Sequence, residues 1–161
     1  MTAQRHPRPR PEPAPKSKLR LWLRLLRASR AIEGELRERL RVAFATTLPK
    51  FDVMAALYRQ PGGMTMTELS RFLMVSNGNV TGLIDRLVGE GMVVRRADAA
   101  DRRATFVRLT RKGAQRFQAL AKAHEGWVDE ILGDLSSSET ETLVELLSAL
   151  GPKPRSGAHR A

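Results

Sequence analysis

The sequence predicts a mainly α fold with one small β-hairpin, and three observations predict it. Apolar residues recur at helical spacing over most of positions 19–150. One pair of β-prone runs, Met92–Arg96 and Thr105–Leu109, interrupts them. Both ends of the chain are rich in proline and arginine. With 161 residues, 42% of them hydrophobic and 28% charged, the chain suits one domain with a real core.

Residues 1–18, with Pro7, Pro9, Pro11, Pro13 and Pro15, are unsuited to a helix and are expected to form an extended basic arm; 151–161 read as a similar tail. In the first helix Leu19, Trp22, Leu23 and Leu26 stand at i, i+3, i+4 and i+7, and the stripe continues through Ser29, Glu33, Leu36, Leu40 and Ala43. Pro49 starts a second helix, where the first turn tolerates its ring. Phe51, Met54, Ala55 and Tyr58 line one face of it, and Pro61-Gly62-Gly63 ends it. Thr65-x-x-Glu68 is a capping box for a short helix with Leu69, Phe72 and Leu73 inward. Ser76 caps a further helix running to Glu90, its inward face Val80, Leu83, Ile84 and Leu87, and Gly91 suits a left-handed residue beyond its end.

The two β-prone runs are joined by the polar loop Ala97–Ala104. In the second run Thr105, Val107 and Leu109 alternate with Phe106 and Arg108, a half-buried strand pattern. Two long helices follow. One shows Phe117, Leu120, Ala121, His124, Val128, Ile131 and Leu135; the other is opened by the capping box Ser136-x-x-Glu139 and shows Leu143, Leu146, Leu147 and Leu150.

Composition excludes several classes of function. Zero cysteines rule out disulfides, thiolate metal sites and a thiol-oxidation switch. The three histidines, His6, His124 and His159, are too scattered for a metal centre, so neither metal nor cofactor is expected. No apolar run approaches the roughly 20 residues of a membrane helix, and the start lacks the apolar stretch of a secretion signal, so no membrane partner and a cytoplasmic setting are expected. His124 stands alone on a helical stripe, and adjacent Asp129 and Glu130 diverge, so the sequence does not read as an enzyme.

The net charge of +11 is unevenly spread: residues 86–116 carry +6 and residues 117–150 carry −6. Such a split suggests one face for a polyanion and another for a different use. Leading into and through the basic block, over 65–109, the order is helix, short break, helix, hairpin, which is that of a winged helix-turn-helix. The second helix begins Ser76-Asn77-Gly78-Asn79-Val80-Thr81-Gly82, polar and nearly free of bulk. An α-helix end of this kind fits the major groove, where Asn suits adenine and Ser or Thr reach bases or phosphates. The same residues also suit a plain turn and cap. The hairpin favours the first reading: Arg95 and Arg96 leave its first strand, and Asp98, Asp101, Arg102 and Arg103 occupy its loop. Arginine is matched to a narrow, electronegative minor groove, and Asp101 can hold Arg103 in direction by a charge-assisted hydrogen bond.

The stretch from FDVMAALYR to RLTRKG resembles the MarR family of bacterial transcriptional regulators. Its specific part is L-x-x-R-L-x-x-x-G-M-V-x-R-x-x-x-x-x-D-R-R-x-x-x-V-x-L-T-x-x-G, from Leu83 to Gly113, and the flanking helices extend the likeness over 19–150. The resemblance implies an obligate homodimer whose first and last two helices interlock, bound to a double-stranded DNA operator. It implies Arg103 in the minor groove with Asp101 orienting it, beside Arg102. Ser76, Asn77, Asn79 and Thr81 would be read into the major groove, and Arg71 and Arg86 would be phosphate or structural residues. The expected division is an arm at 1–18, a dimerisation helix at 19–48, a winged domain at 49–112, dimerisation helices at 113–150 and a tail at 151–161. Long striped helices that a small winged unit cannot cover agree with a dimer.

Regulators of this kind release DNA when a small, often aromatic anion enters a cleft between the dimerisation helices and the winged domain. Trp22, Phe51, Met54 and Tyr58 are the apolar candidates here, with Arg30 or Arg95 to meet a carboxylate; the same stripe also suits ordinary packing. The runs LRLWLRLL, TLPKFDVMAAL and LMVSNGNVTGLIDRLV resemble the subgroup sensing aromatic acids or hydroxycinnamoyl-CoA thioesters. Arg20, Arg24, Arg27 and Arg30 suit such a polyanion as well as they suit phosphates. A repressor released by an aromatic acid or aromatic acyl-CoA is thus the expected function. The competing reading is a winged module for protein contact or non-specific nucleic-acid binding.

Overall fold

The computed structural model describes residues 16–97 and 105–150. In chain order these form α1 (Ser17–Phe44), α2 (Leu48–Arg59), β1 (Met64–Thr65), α3 (Met66–Leu73), α4 (Asn77–Gly89), β2 (Val93–Ala97), β3 (Thr105–Leu109), α5 (Arg111–Ile131) and α6 (Ser137–Ser148). The strands make one antiparallel sheet in the order β1-β3-β2.

Local chemistry accounts for most of the boundaries. Ala45, left-handed at φ 51°, ends α1, and the Thr47 side chain accepts from the Lys50 backbone N–H to open α2, with Pro49 in the first turn. Thr65 and Glu68 form the reciprocal capping box at α3, and Ser136 and Glu139 repeat it at α6. Ser76 caps α4 and Gly91 follows it at φ +71°.

Several expectations need correction. The hairpin is the larger part of a three-stranded sheet: Met64 and Thr65 pair with Val107 and Phe106. Two residues have no period to display, so β1 exists only through its partner. Gly63 makes the entry possible, since at φ +97° a Cβ would stand 2.9 Å from the Val107 carbonyl oxygen. Phe72, expected inward, is exposed; α3 is held by buried Leu69, with Met66 and Leu73 packed against the core beside it. Helix α2 is not one-sided: Val53, Ala56 and Leu57 are buried along with Phe51 and Met54, while Tyr58 is exposed. Glu33 and Ala43 of the α1 stripe are exposed too, and only Leu36 and Leu40 of that helix are buried.

The core is built around α2. Leu57, Met54 and Val53 meet Leu40 of α1, Leu69 of α3, Val80, Ile84 and Leu87 of α4, Val107 of β3, and Phe117 and Leu120 of α5. Arg39 of α1 adds a bridge to Glu130 of α5 while holding Glu35 on its own helix.

A tight junction joins the end of α4, the start of β2 and the start of α5. Thr110 donates from its backbone N–H to the Met92 carbonyl at 3.0 Å and from its hydroxyl to the Gly91 carbonyl at 2.8 Å. Lys112 Nζ donates to the Glu90 carbonyl at 3.0 Å. Gly113 allows the approach: a Cβ there would lie 2.0 Å from the Met92 carbonyl oxygen. Helix α5 and the far end of α4 are therefore one mechanical unit.

Candidate nucleic-acid interface

Helix α3 ends at Met74, left-handed at φ 54°, and the Val75 N–H returns to the Ser70 carbonyl at 3.1 Å. The chain thereby turns at once into Ser76 and α4. Val80, Ile84 and Leu87 bury the inner side of α4. Its outer side is nearly bare: beyond Gly78, Gly82 and Gly89 there is no heavy atom within 4 Å of where a Cβ would sit. Exposed Asn77 and Thr81 flank this strip on one side and Asn79 and Arg86 on the other. Thr81 Oγ1 donates to the Asn77 carbonyl at 2.9 Å, leaving its oxygen as an acceptor. A concave strip of about 410 Å³ runs beside the helix, bordered by Pro49, Val75, Asn79 and Arg86. Ser76 and Arg71 are exposed nearby in sequence, on the cap and on α3.

The wing is tied to this helix. Arg95 of β2 bonds Asp85 of α4 at 2.6 Å, which ties the sheet to that helix. Arg96 and Phe106 face each other across the strands, as do Val94 and Arg108. Asp98, Asp101, Arg102 and Arg103 lie outside the described residues.

The six residues expected to wall an effector cleft do not converge within the chain. Phe51 is core, stacked on the His124 ring at 4.6 Å and 17° and packed against Phe117 at 5.5 Å. Met54 is buried, and Trp22 and Arg30 are exposed on the first half of α1. Arg95 is engaged by Asp85, a pairing that no spacing in the sequence announces. Tyr58 borders a separate pocket of about 410 Å³ with Leu57, Pro61, Leu109 and Ala114, and its hydroxyl accepts from Gln118 at 2.9 Å. His124, with its ring against Phe51, has its pKa pushed down by burial. Among the described residues no group of three or more His, Asp or Glu could hold a metal ion, and no helix is long and apolar enough to cross a membrane.

Comparison with known proteins adds to this geometry. The MarR family model matches residues 46–105. The transcriptional activatory protein BadR of Rhodopseudomonas palustris is 36% identical over 126 residues, covering 76% of this chain and 67% of that protein. A MarR family transcriptional regulator from Silicibacter pomeroyi is 35% identical with a TM-score of 0.72, over 84% of this chain and 93% of that one. A mutant MarR from E. coli complexed with operator DNA is 26% identical with a TM-score of 0.74, over 88% of this chain and 100% of that one. The likeness runs through the winged unit into both flanking helices, and the chain belongs to the MarR family, as a DNA-binding transcriptional regulator and not an enzyme.

Proposed function

We propose that two copies of this chain grip a pseudo-palindromic operator, each seating α4 in a major groove and its wing in the minor groove beside it. The bare, polar outer side of α4 carries this reading, since it lets the helix backbone lie close to base edges. Asn77 and Asn79 contact bases, with Ser76 and Thr81 reaching bases or phosphates, and Arg71, Arg86 and Arg102 meet phosphates. Arg103, directed by Asp101, enters the minor groove. The division follows: 49–112 binds DNA, while 19–48 and 113–150 pair the protomers.

Support for a homodimer comes from apolar surface left open at both ends. Leu19, Leu21, Trp22 and Leu23 of α1 are more than half exposed, Leu146 is 61% and Leu150 66% exposed, and α6 has no buried residue. Patches of this kind on a lone chain mark an interface. Two-fold pairing then asks for half-sites about one helical turn apart. In this reading the protein is a repressor released by a small aromatic acid or aromatic acyl-CoA, and the basic arm adds phosphate affinity.

Fluorescence anisotropy with promoter fragments from the protein's own locus tests the DNA contacts. Arg103→Ala is expected to cost about 1–3 kcal/mol of specific binding and to relax sequence preference. Unchanged affinity and preference would refute the minor-groove role. Removing residues 1–15 should lower the salt slope while keeping site preference.

A further inference from the structure

The concave strip of about 410 Å³ beside α4 is an apolar slot in an otherwise polar surface. Pro49 of α2, Val75 of the α3–α4 turn and Leu83 of α4 give it apolar walls. Gly78 and Gly82, one turn apart, keep its floor low, and nothing in the chain stands within 4 Å of where their side chains would begin. Glycine weakens a helix interior relative to alanine, and no packing within the chain asks for it at either position. Val75 is 41% exposed although apolar. Polar groups along the slot are sparse and graded. Exposed Asn79 borders it near Val75, and Arg86 borders it two turns further along the helix. Among the described residues no carboxylate lines it.

We infer that this slot reads the 5-methyl group of one thymine in each half-site, with Val75 the residue in contact. The inference rests on the operator-binding reading above and names the group that the bare side of α4 recognises. In the major groove that methyl is the one apolar group a base pair presents, beside its acceptors and amino donors. An apolar recess opening among hydrogen-bonding side chains is its complement. Asn79, at the rim, suits the N7 and the N6 amino group of an adenine, so a short A·T stretch offers both contacts. The phosphate backbone suits the Arg86 end and not the Val75 end, where no cation lines the slot. A side chain at Gly78 or Gly82 would fill the recess from its floor. Thymine is thus set apart from uracil at this position by a filled apolar contact and not by a hydrogen bond.

Anisotropy with a promoter duplex from the protein's own locus tests the slot. Its thymines are replaced by deoxyuridine, one position at a time, which removes the methyl group alone. Replacement at one position in each half-site is expected to weaken binding about fourfold per half-site, the worth of burying one methyl group, and replacement elsewhere to be neutral. Val75→Ala and Gly82→Ala should each lose the preference for thymine over deoxyuridine. Gly82→Ala should also melt no lower than the wild type, since its methyl group meets nothing in the chain, so it carries the test if Val75→Ala fails to fold. Selective promoter binding with every deoxyuridine position neutral would overturn the thymine slot and leave the operator reading standing. A methyl effect that both variants retain would overturn the slot in the same way. Selective binding of no promoter fragment would refute the operator reading, and the slot's role with it.

Discussion

The middle of the chain and its two ends solve the burial problem differently. Around α2, side chains from α1, α3, α4, α5 and β3 close on one another, and Leu40, Val53, Leu69, Val80, Ile84 and Val107 have no exposed surface. At the ends, the first half of α1 and all of α6 are just as rich in leucine, yet Leu21, Trp22, Leu23, Leu146 and Leu150 stand open. Their charges differ as well. Residues 19–30 carry Arg20, Arg24, Arg27 and Arg30 with no acidic residue, whereas 125–145 carry seven acidic residues and no basic one. A helix with an apolar face and nothing on it takes its stability from a partner and not from propensity. The middle is a finished unit, and the ends are left with open apolar surface, which the proposed dimer would cover.

Breaking each region separately sharpens that contrast. Leu57→Ala, at the centre of α2, should cost about 2–5 kcal/mol in chemical denaturation, through lost transfer energy and a cavity. Gly113→Ala comes next. Its methyl group would overlap the Met92 carbonyl, so about 1–3 kcal/mol is expected, together with weaker operator binding because α5 and α4 no longer hold register. Leu146→Glu with Leu150→Glu should leave the intrinsic stability of the winged core within about 0.5 kcal/mol, since neither side chain is buried in the chain. The same pair should abolish self-association by light scattering. If it unfolds the winged core as Leu57→Ala does, the contrast between middle and ends is wrong.

The smallest effect concerns His124, in the seam between the two regions. Its folded pKa lies below the ordinary 6.5 because burial against Phe51 disfavours the charged ring. Well above pH 6.5 the ring is neutral in both states and contributes no pH dependence. As pH falls from there through the lower folded value, the unfolded chain takes up the proton first, and the fold loses stability. His124→Phe should remove that part of the acid sensitivity in melting curves taken from pH 7.5 to 5. An unchanged profile would mean that the ring's burial has no energetic weight.

What the sequence disclosed was chiefly local. Caps at Thr65, Ser76 and Ser136 and the left-handed Gly91 were readable because each is decided within a few residues. The inner side of α4 was readable from its period. Contacts between distant elements were not. Strand β1 exists through β3, Arg95 turns to Asp85, and the Gly113 approach depends on where β2 starts. The exposed face of α4 was thus visible in advance, and its anchoring was not.

The central claim is that two such chains, completed by each other's ends, hold one operator. Native mass spectrometry of the protein with a short duplex bearing one pseudo-palindromic site tests it directly. Two chains of 18.0 kDa per duplex are expected, with the same pair present before DNA is added. One chain per duplex, or a ladder of chains coating the duplex whatever its sequence, would contradict it.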